Sequence, residues 1–431
     1  MSTNIQDIMS FIHENDVKFV RLAFCDPFGT HKNISIMSDE LESAFTEGVC
    51  FDSSAINGFL DTNQPDLLLF PDPETLTILP WRPYPGRVVR FFCNIKYPDK
   101  TPFERDSRFI LKQALDRAEK MGYACNVGFE CEFYLFKTDI DGLPTKNTLD
   151  SGGYFDISPL DKGEDIRREI CLYLEEMGLA PKSSRHNEGP GQNEIVIKAT
   201  DGLTSADNFI SFKSVVKSIA ERNGLYASFM PKPILDNSGS GLHINISLEK
   251  DGKKIFEHVE DNGVAQGFIE GVLRKSPDMT LFLNPISNSY ERLGEYAAPS
   301  TVSWSLLDRY QLIRVTPLKS KSEYMEFRSA DPSSNPYICI ALLINAGLDG
   351  IENKLELRPA TDTHTNDEKL EKLPCSLEKA VKVAQESDFI KKYLDENFVN
   401  KYFSIKQKEV EEFSNAKDIS EFYDKKYFMI I

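Results

Sequence analysis

Four short segments set charged or polar side chains on one face of a would-be strand and apolar side chains on the other. In GFECEFYLF, Glu130 and Glu132 share a face while Phe129, Cys131, Phe133 and Leu135 point the opposite way, because side chains alternate along a strand. GQNEIVI opposes Gln192 and Glu194 to Ile195 and Ile197, and GLHINIS opposes His243, Asn245 and Ser247 to Leu242, Ile244 and Ile246. EYMEFR repeats the layout, with Glu326 and Arg328 against Met325 and Phe327. A solvated outer face accounts for any one of these. Four in one chain, each beside a turn rich in Gly, Pro or Ser, point to a shared site, since clustered carboxylates are costly unless solvent or a cation neutralises them. Glu130, Glu132, Glu194, His243 and Glu326 are carboxylates with one imidazole, a set that suits Mg²⁺ or Mn²⁺ better than zinc. Such ions bridge carboxylates to nucleotide phosphates, which makes phosphoryl transfer the natural reaction class. His243 follows the glycine-rich turn NSGSG, whose backbone N–H groups can approach an anion.

A second group is positive: Arg292, Arg309, Arg314, Lys321 and Arg328. Guanidinium forks bind carboxylates and phosphates bidentately, so this group suits a place where anions meet. Ordinary surface salt bridges are the alternative that spacing leaves open.

The elements that must carry these residues form an α+β pattern. Residues 1–100 alternate short apolar runs such as VKFVRLAF and RVVRFFCNI with Gly, Pro and Asp breaks, as in a small β-rich domain. PDPETLTILPWRPYPG is too proline-rich for a central strand or a helix. A larger domain over 101–431 opens with the helical run SRFILKQALDRAEKMG. Helical spacing recurs in DIRREICLYLEEMG, ADNFISFKSVVKSIAERNG, VAQGFIEGVLRKS and NPYICIALLINAGLDGI. Beyond residue 352 the chain turns polar and then helical, a tail suited to lie on a partner subunit.

The 431 residues carry 50 basic and 67 acidic side chains, a net charge of −17 that disfavours a nucleic-acid surface. No stretch approaches the ~20 apolar residues needed to span a bilayer, and the start of the chain does not read as a secretion signal, so a cytoplasmic location is expected. Eight cysteines without a CxxC pair read as reduced core residues.

Taken in order, FDSSAINGF, GFECEFYLF, GGYFDISP, GPGQNEI, FKSVVKSIAERNGLYASFMPKP, NSGSGLHINISL, NPISNSYERL, IRVTP, MEFRSADPSSNPY and AGLDGI make the chain resemble glutamine synthetase of the bacterial class I type, over residues 15–430. The resemblance implies an N-terminal β-grasp domain and a catalytic domain whose curved antiparallel sheet, flanked by helices, forms a two-mouthed funnel. It implies two stacked hexameric rings with active sites between neighbouring subunits. It further implies two or three Mg²⁺ or Mn²⁺ ions that hold ATP, transfer of the γ-phosphoryl group to glutamate, and displacement of phosphate by ammonia. By the same resemblance Glu132 and Glu194 match ligands of a first metal, and Glu130, His243 and Glu326 those of a second. Arg292, Arg328 and the backbone of Gly239 match residues that hold glutamate. Arg309 and Arg314 fall at the transferring phosphate, and Asn245, Ser247 and Lys321 on the nucleotide side. Asp52 matches the aspartate that takes a proton from ammonium across the subunit interface, and Tyr154 a tyrosine lining that pocket.

The chain departs from the family pattern at a metal ligand, on the nucleotide side and at the amine pocket. Asn187 stands where a metal-binding glutamate is expected, with Glu188 next to it; Lys182 replaces a nucleotide-side glutamate and Tyr324 an arginine. Ala297, in a flap one residue short, takes the place of the glutamate that closes the site, and Ala55 that of a serine. Glu295 on the flap is a candidate to compensate, and Glu371 at the position of the adenylylated tyrosine removes that control. Three functions follow: glutamine synthesis from ammonia, a γ-glutamyl ligase for a larger primary amine, or a ring-forming binding or regulatory protein with little catalysis.

Overall fold

The computed structural model describes residues 4–81, 86–315, 317–318, 321–322, 324–361 and 370–431, with backbone alone at 317–318 and 321–322. Helix α1 (Ile5–Glu14) starts where the Asn4 side chain accepts the Gln6 N–H at 3.2 Å. It leads into a six-stranded sheet built from β1 (Val17–Cys25), β2 (His31–Met37), β3 (Val49–Phe51), β4 (Leu67–Pro71), β5 (Thr77–Ile78) and β6 (Arg87–Lys96), with α2 (Leu41–Thr46) between β2 and β3. The order is β2-β1-β6-β4-β3 with β5 beside β6; β1 and β6 run parallel and the other pairs antiparallel, the β-grasp arrangement expected. The DPFGTHK turn forms because the Asp26 carboxylate accepts the N–H groups of Phe28 and Thr30, each at 2.9 Å.

After α3 (Ser107–Lys120) come β7 (Ala124–Thr138), β8 (Pro144–Thr148), α4 (Glu164–Glu176), β9 (Pro181–His186), β10 (Gln192–Asp201), α5 (Gly202–Arg222), β11 (Leu225–Ser228), β12 (Leu242–Lys250) and β13 (Lys253–Lys254). Then follow α6 (Gly263–Leu283), β14 (Trp304–Ser305), β15 (Ile313–Arg314), the hairpin β16 (Pro317–Leu318) and β17 (Lys321–Ser322), β18 (Met325–Phe327), and α7 (Pro336–Glu352). The ten-stranded sheet runs β14-β15-β18-β12-β7-β10-β9, with β8 and β11 on β7 and β13 on β12. It is antiparallel except for β14 and β15, which run parallel.

The apolar side of β7 lies on α5: the Phe129 and Phe209 ring centroids are 4.9 Å apart, and those of Phe133 and Phe212 6.2 Å. Each such buried aromatic contributes about 1.5–3 kcal/mol, enough to fix which strand face turns inward and therefore where Glu130 and Glu132 point. Helices α6 and α7 cross at glycine: a Cβ on Gly271 would meet the Ala346 carbonyl at 2.2 Å, and one on Gly350 the Gly267 carbonyl at 1.9 Å. Only glycine permits that approach.

Three sequence expectations change. The helix expected to stop near Ser276 runs through Pro277 to Leu283, since Met279, Leu281, Phe282 and Leu283 are all buried and their burial outweighs the proline. Helix α5 begins at Gly202, four residues before the expected run, because the Asp201 side chain caps it through the Thr204 N–H. Cys50 and Cys375 are exposed rather than core, whereas Cys25, Cys93, Cys125, Cys131 and Cys339 are buried. The described part of the tail, with α8 (Leu377–Glu386), α9 (Asp388–Tyr393), α10 (Glu396–Ser414) and α11 (Ile419–Tyr423), packs on its own chain: Tyr423, Tyr427 and Phe428 share a core with Tyr134, Phe136 and Met230.

Arg108 joins the two sheets. Its guanidinium donates to Asp207 of α5 at 3.0 Å, to Asp72 at 2.9 Å and to Asn94 of β6 at 2.8 Å. The two aspartates hold the guanidinium charged despite its burial.

Candidate active site

The polar faces of β7, β9, β10, β12 and β18 meet at a cavity of about 630 Å³. Glu130, Glu132, Glu194, His243, Glu326, Tyr154, Gly239, Arg292, Arg309, Arg314 and Arg328 all line it, so most of the candidate residues come together. Strand register explains this: His243 on β12 lies opposite Glu130 on β7, Glu194 on β10 opposite Glu132, and Arg314 on β15 opposite Glu326. Six carboxylates and six basic side chains line the cavity, so a dication entering it arrives with, or attracts, an anion.

Two carboxylate groups in this cavity differ in what they can hold. One ligand atom each from Glu130, His243 and Glu326 lie within 4.8 Å of one another. His243 Nδ1 is buried without a hydrogen-bond partner, 3.3 Å from Glu326 Oε1 and 3.9 Å from Glu130 Oε2. Two carboxylates and an orphaned imidazole nitrogen fit a divalent cation. Burial alone would raise the Glu130 carboxyl, but His243, the Asn245 amide at 3.1 Å and Arg185 hold it down at about 2. Arg328 and Arg314 also contact Glu326, the latter at 3.4 Å.

Glu132 and Glu194 are differently placed. Glu132 accepts the Gly241 N–H at 2.6 Å and the Asn187 amide at 2.7 Å, and that amide also reaches Glu194 at 3.2 Å. The remaining Glu194 oxygen is in ion contact with Arg185. Burial and the Glu132 charge push the Glu194 carboxyl up, and Arg185 pulls it back. This pair lacks a third ligand: the Asn187 amide turns its N–H groups, not its oxygen, toward both carboxylates, and Glu194 Oε1 lies against Arg185 without a hydrogen bond.

On the arginine side, Arg292 is buried and donates to the Ser329, Ala330 and Arg328 carbonyls at 2.8, 3.2 and 3.2 Å. Arg328 donates from Nε to the Arg309 carbonyl at 2.9 Å. Gly239 must be glycine, since a Cβ there would sit 2.6 Å from the Pro231 carbonyl and 2.8 Å from Arg292 Cγ. Lys182, Asn187, Glu188, Glu295, Ala297 and Tyr324 also line the cavity.

Three described candidates do not line this cavity: Asp52, Ser247 and Asn245. Asp52 is exposed on the first domain, where it accepts the Ser54 N–H at 2.9 Å and the Ser54 hydroxyl at 2.6 Å, and these bonds lower its carboxyl pKa. Ser247 lies four residues along β12 from His243, opposite Asn126, about 13 Å away. Lys321 has its backbone in β17, but its side chain lies outside the described residues. Asn245 does not line the cavity and instead braces Glu130 from the same strand face.

Two features escaped the sequence reading. Arg185 faces the cavity because it sits directly opposite Glu194 in the β9–β10 hairpin, a signal that register alone would have supplied. His186, wholly buried, bridges the Asp150 carboxylate at 3.0 Å and the Asn187 carbonyl at 2.7 Å. Asp161 lies close enough for the three to make a second metal-capable cluster. That cluster is already neutralised by Arg167, which donates to Asp161 Oδ1 at 3.1 Å.

A β-grasp sheet joined to a second sheet, with one cavity that sets carboxylates and an orphaned imidazole nitrogen beside arginines, suits metal-assisted phosphoryl transfer. Residues 16–98 match the family model "Glutamine synthetase, beta-Grasp domain" and residues 104–424 match "Glutamine synthetase, catalytic domain". The chain is 45% identical to a glutamine synthetase of Clostridium saccharobutylicum and 42% identical to one of Methanosarcina mazei, with 95% of each chain covered in both cases. It therefore belongs to the glutamine synthetase family. Among solved structures it resembles a GmaS/ADP complex, with TM-score 0.87, 27% identity and 99% of both chains covered. It shares its fold with Plasmodium falciparum glutamine synthetase at TM-score 0.86 and 22% identity, over 97% of this chain and 98% of the other. No helix among the described residues is long and apolar enough to cross a membrane.

Proposed function

We propose that the chain is an ATP-dependent ligase that joins glutamate to ammonia through a γ-glutamyl phosphate, giving glutamine. The observation that carries this reading is the Glu130–His243–Glu326 group, with its unpartnered Nδ1, lining one cavity together with Arg309, Arg314 and Arg328. Glu130, His243 and Glu326 would hold Mg²⁺ or Mn²⁺, with Asn245 bracing the Glu130 carboxylate. When bound, the cation neutralises charge on the nucleotide phosphates. Arg309 and Arg314 face the transferring phosphoryl group and stabilise the charge that develops on its oxygens. Arg328 and Arg292 border the glutamate end, where Gly239 allows the backbone to approach the substrate. Asp52, ionised and exposed, acts in a neighbouring copy's cavity, which requires an assembly such as stacked hexameric rings; its position outside its own chain's cavity supports this. There it takes the proton from ammonium.

A second reading, a larger primary amine in place of ammonia, is favoured by one observation. Ala297, small and uncharged, lines the cavity where a carboxylate would hold ammonium. Phosphate release from ATP, with Mg²⁺ and glutamate, over ammonia and a panel of alkylamines and polyamines decides between them. Turnover with ammonia alone supports glutamine synthesis, and preference for an alkylamine supports the second reading. Absence of turnover with every amine, together with absence of Mg·ATP binding, refutes both and leaves the binding or regulatory role.

A further inference from the structure

The cation site that the resemblance places at Glu132 and Glu194 is occupied by the protein's own donors. Arg185, directly opposite Glu194 in the β9–β10 register, lies in ion contact with Glu194 Oε1 and 4.0 Å from Glu130 Oε2. The contact is Coulombic rather than an aligned hydrogen bond, as Glu194 Oε1 has no hydrogen-bond partner. Its position is built: Arg185 Nε is buried, and its guanidinium carbon lies 5.8 Å from the centre of the Phe155 ring. Phe155 is itself pinned at φ 62° with its N–H donating to the His186 carbonyl at 3.2 Å.

Asn187 completes the arrangement. Its Oδ1 accepts the Glu188 N–H at 2.9 Å, which fixes the amide so that Nδ2 and not Oδ1 faces Glu132 and Glu194. The four carboxylate oxygens therefore meet the Gly241 N–H, the Asn187 amide twice, and Arg185. A dication placed between Glu132 and Glu194 would face an N–H pair and a like charge, and it would lack the third carboxylate that a glutamate at 187 would provide.

We infer that Arg185 and Asn187 replace the first cation of the site, so that Glu132 and Glu194 bind no metal and serve as a fixed, internally neutralised wall. It stands on the Arg185 and Asn187 contacts alone, separately from the Glu130–His243–Glu326 reading, and it makes Arg185 a positioning residue. A guanidinium holds the two strands at a constant charge and spacing, but unlike a metal ion it brings no exchangeable water ligands to the cavity.

The test is the number of Mn²⁺ ions bound per chain, read by electron paramagnetic resonance on the intact assembly without ATP. Glu132→Gln is expected to bind as many ions as the wild-type protein. Arg185→His combined with Asn187→Glu is expected to bind one more, and adding Glu132→Gln to that pair should remove the extra ion. Loss of one ion from the otherwise wild-type protein on Glu132→Gln would overturn the inference. So would failure of the doubly substituted protein, shown to be assembled by sedimentation, to gain an ion. A wild-type protein that binds no Mn²⁺, while the doubly substituted one gains a site, would leave this inference standing and refute the Glu130–His243–Glu326 reading. If the double variant does not assemble, the Glu132→Gln comparison decides alone.

Discussion

Replacing His186 by glutamine should loosen the β9–β10 turn that carries Asn187, and the loss should shrink as pH rises. Both ring nitrogens of His186 face acceptors, the Asp150 carboxylate at 3.0 Å and the Asn187 carbonyl at 2.7 Å, so only the doubly protonated ring satisfies both. Burial disfavours that charge, but Asp150 and the Asn187 carbonyl more than offset it and raise the imidazole pKa. Burial likewise opposes the Asp150 charge, yet His186 and the Lys162 and Gly191 N–H groups bring its carboxyl down to about 2. The His186 contribution is therefore fully present below the ordinary histidine value of about 6.5, and it is lost as pH rises through the elevated folded value. The Asp150 contribution, present above its ordinary value of about 3.9, persists over that range.

A charge-assisted hydrogen bond of this kind contributes about 1.5–3 kcal/mol. Asp150 keeps three backbone donors, Gly191 at 2.8 Å, Lys162 at 2.9 Å and Gly152 at 3.2 Å, so removal of His186 leaves no orphaned carboxylate. That points to about 2 kcal/mol, or roughly a thirtyfold rise in local opening. Amide hydrogen exchange across residues 186–194, measured near pH 6 and near pH 9, reads that opening directly. The gap between wild type and His186→Gln should be largest at the lower pH and fall by about half or more at the higher. A gap of equal size at both would show that His186 is neutral in the fold and would refute the argument.

Arg108→Met should cost about 3–5 kcal/mol in denaturant unfolding, because it removes the buried guanidinium that pairs Asp207 with Asp72 in the joint between the sheets, leaving Asp207 with the Tyr337 hydroxyl and Asp72 with Lys112; a change below about 1 kcal/mol would refute that role. Glu130→Ala should abolish phosphate release in the presence of glutamate and amine, and turnover at the wild-type rate would defeat its place in the cation site. Asp52→Asn should spare nucleotide binding, measured by calorimetry, while lowering turnover most at limiting amine; lost nucleotide binding would move Asp52 out of the amine pocket.

The parts of the site that could be read from sequence are those set by the two-residue period of a strand. Glu130 and Glu132, or His243 and Asn245, reveal a shared face because an apolar partner stands between them, and the phenylalanines on α5 then decide which face is buried. What could not be read depends on pairing between distant segments. Arg185 reaches Glu194 only through the hairpin register, and His186 meets Asp150 across thirty-six positions of sequence. Asn187 read as a lost ligand in sequence, whereas in space its amide bridges two carboxylates. The end of α6 was misplaced for a related reason: local chemistry at Pro277 favours a stop, and the burial that overrides it comes from other parts of the chain.

The glycine crossing of α6 and α7 has a bearing beyond packing. At its start α7 is tied to the first domain, where the Asn335 amide donates to the Asp26 and Pro27 carbonyls at 3.2 and 3.3 Å, and a Cβ on Gly29 would come within 2.8 Å of Asn335 Cα. Farther along, Gly350 rests on the backbone of Gly267 with no side chain between them to flex. One helix thus works as a ruler between the domain that carries Asp52 and the sheet that carries the cavity. If each copy offers Asp52 to the next, as proposed above, any tilt in that ruler would be repeated at every joint and add up around a closed ring, so a contact too tight to bend would also set how truly the circle meets itself.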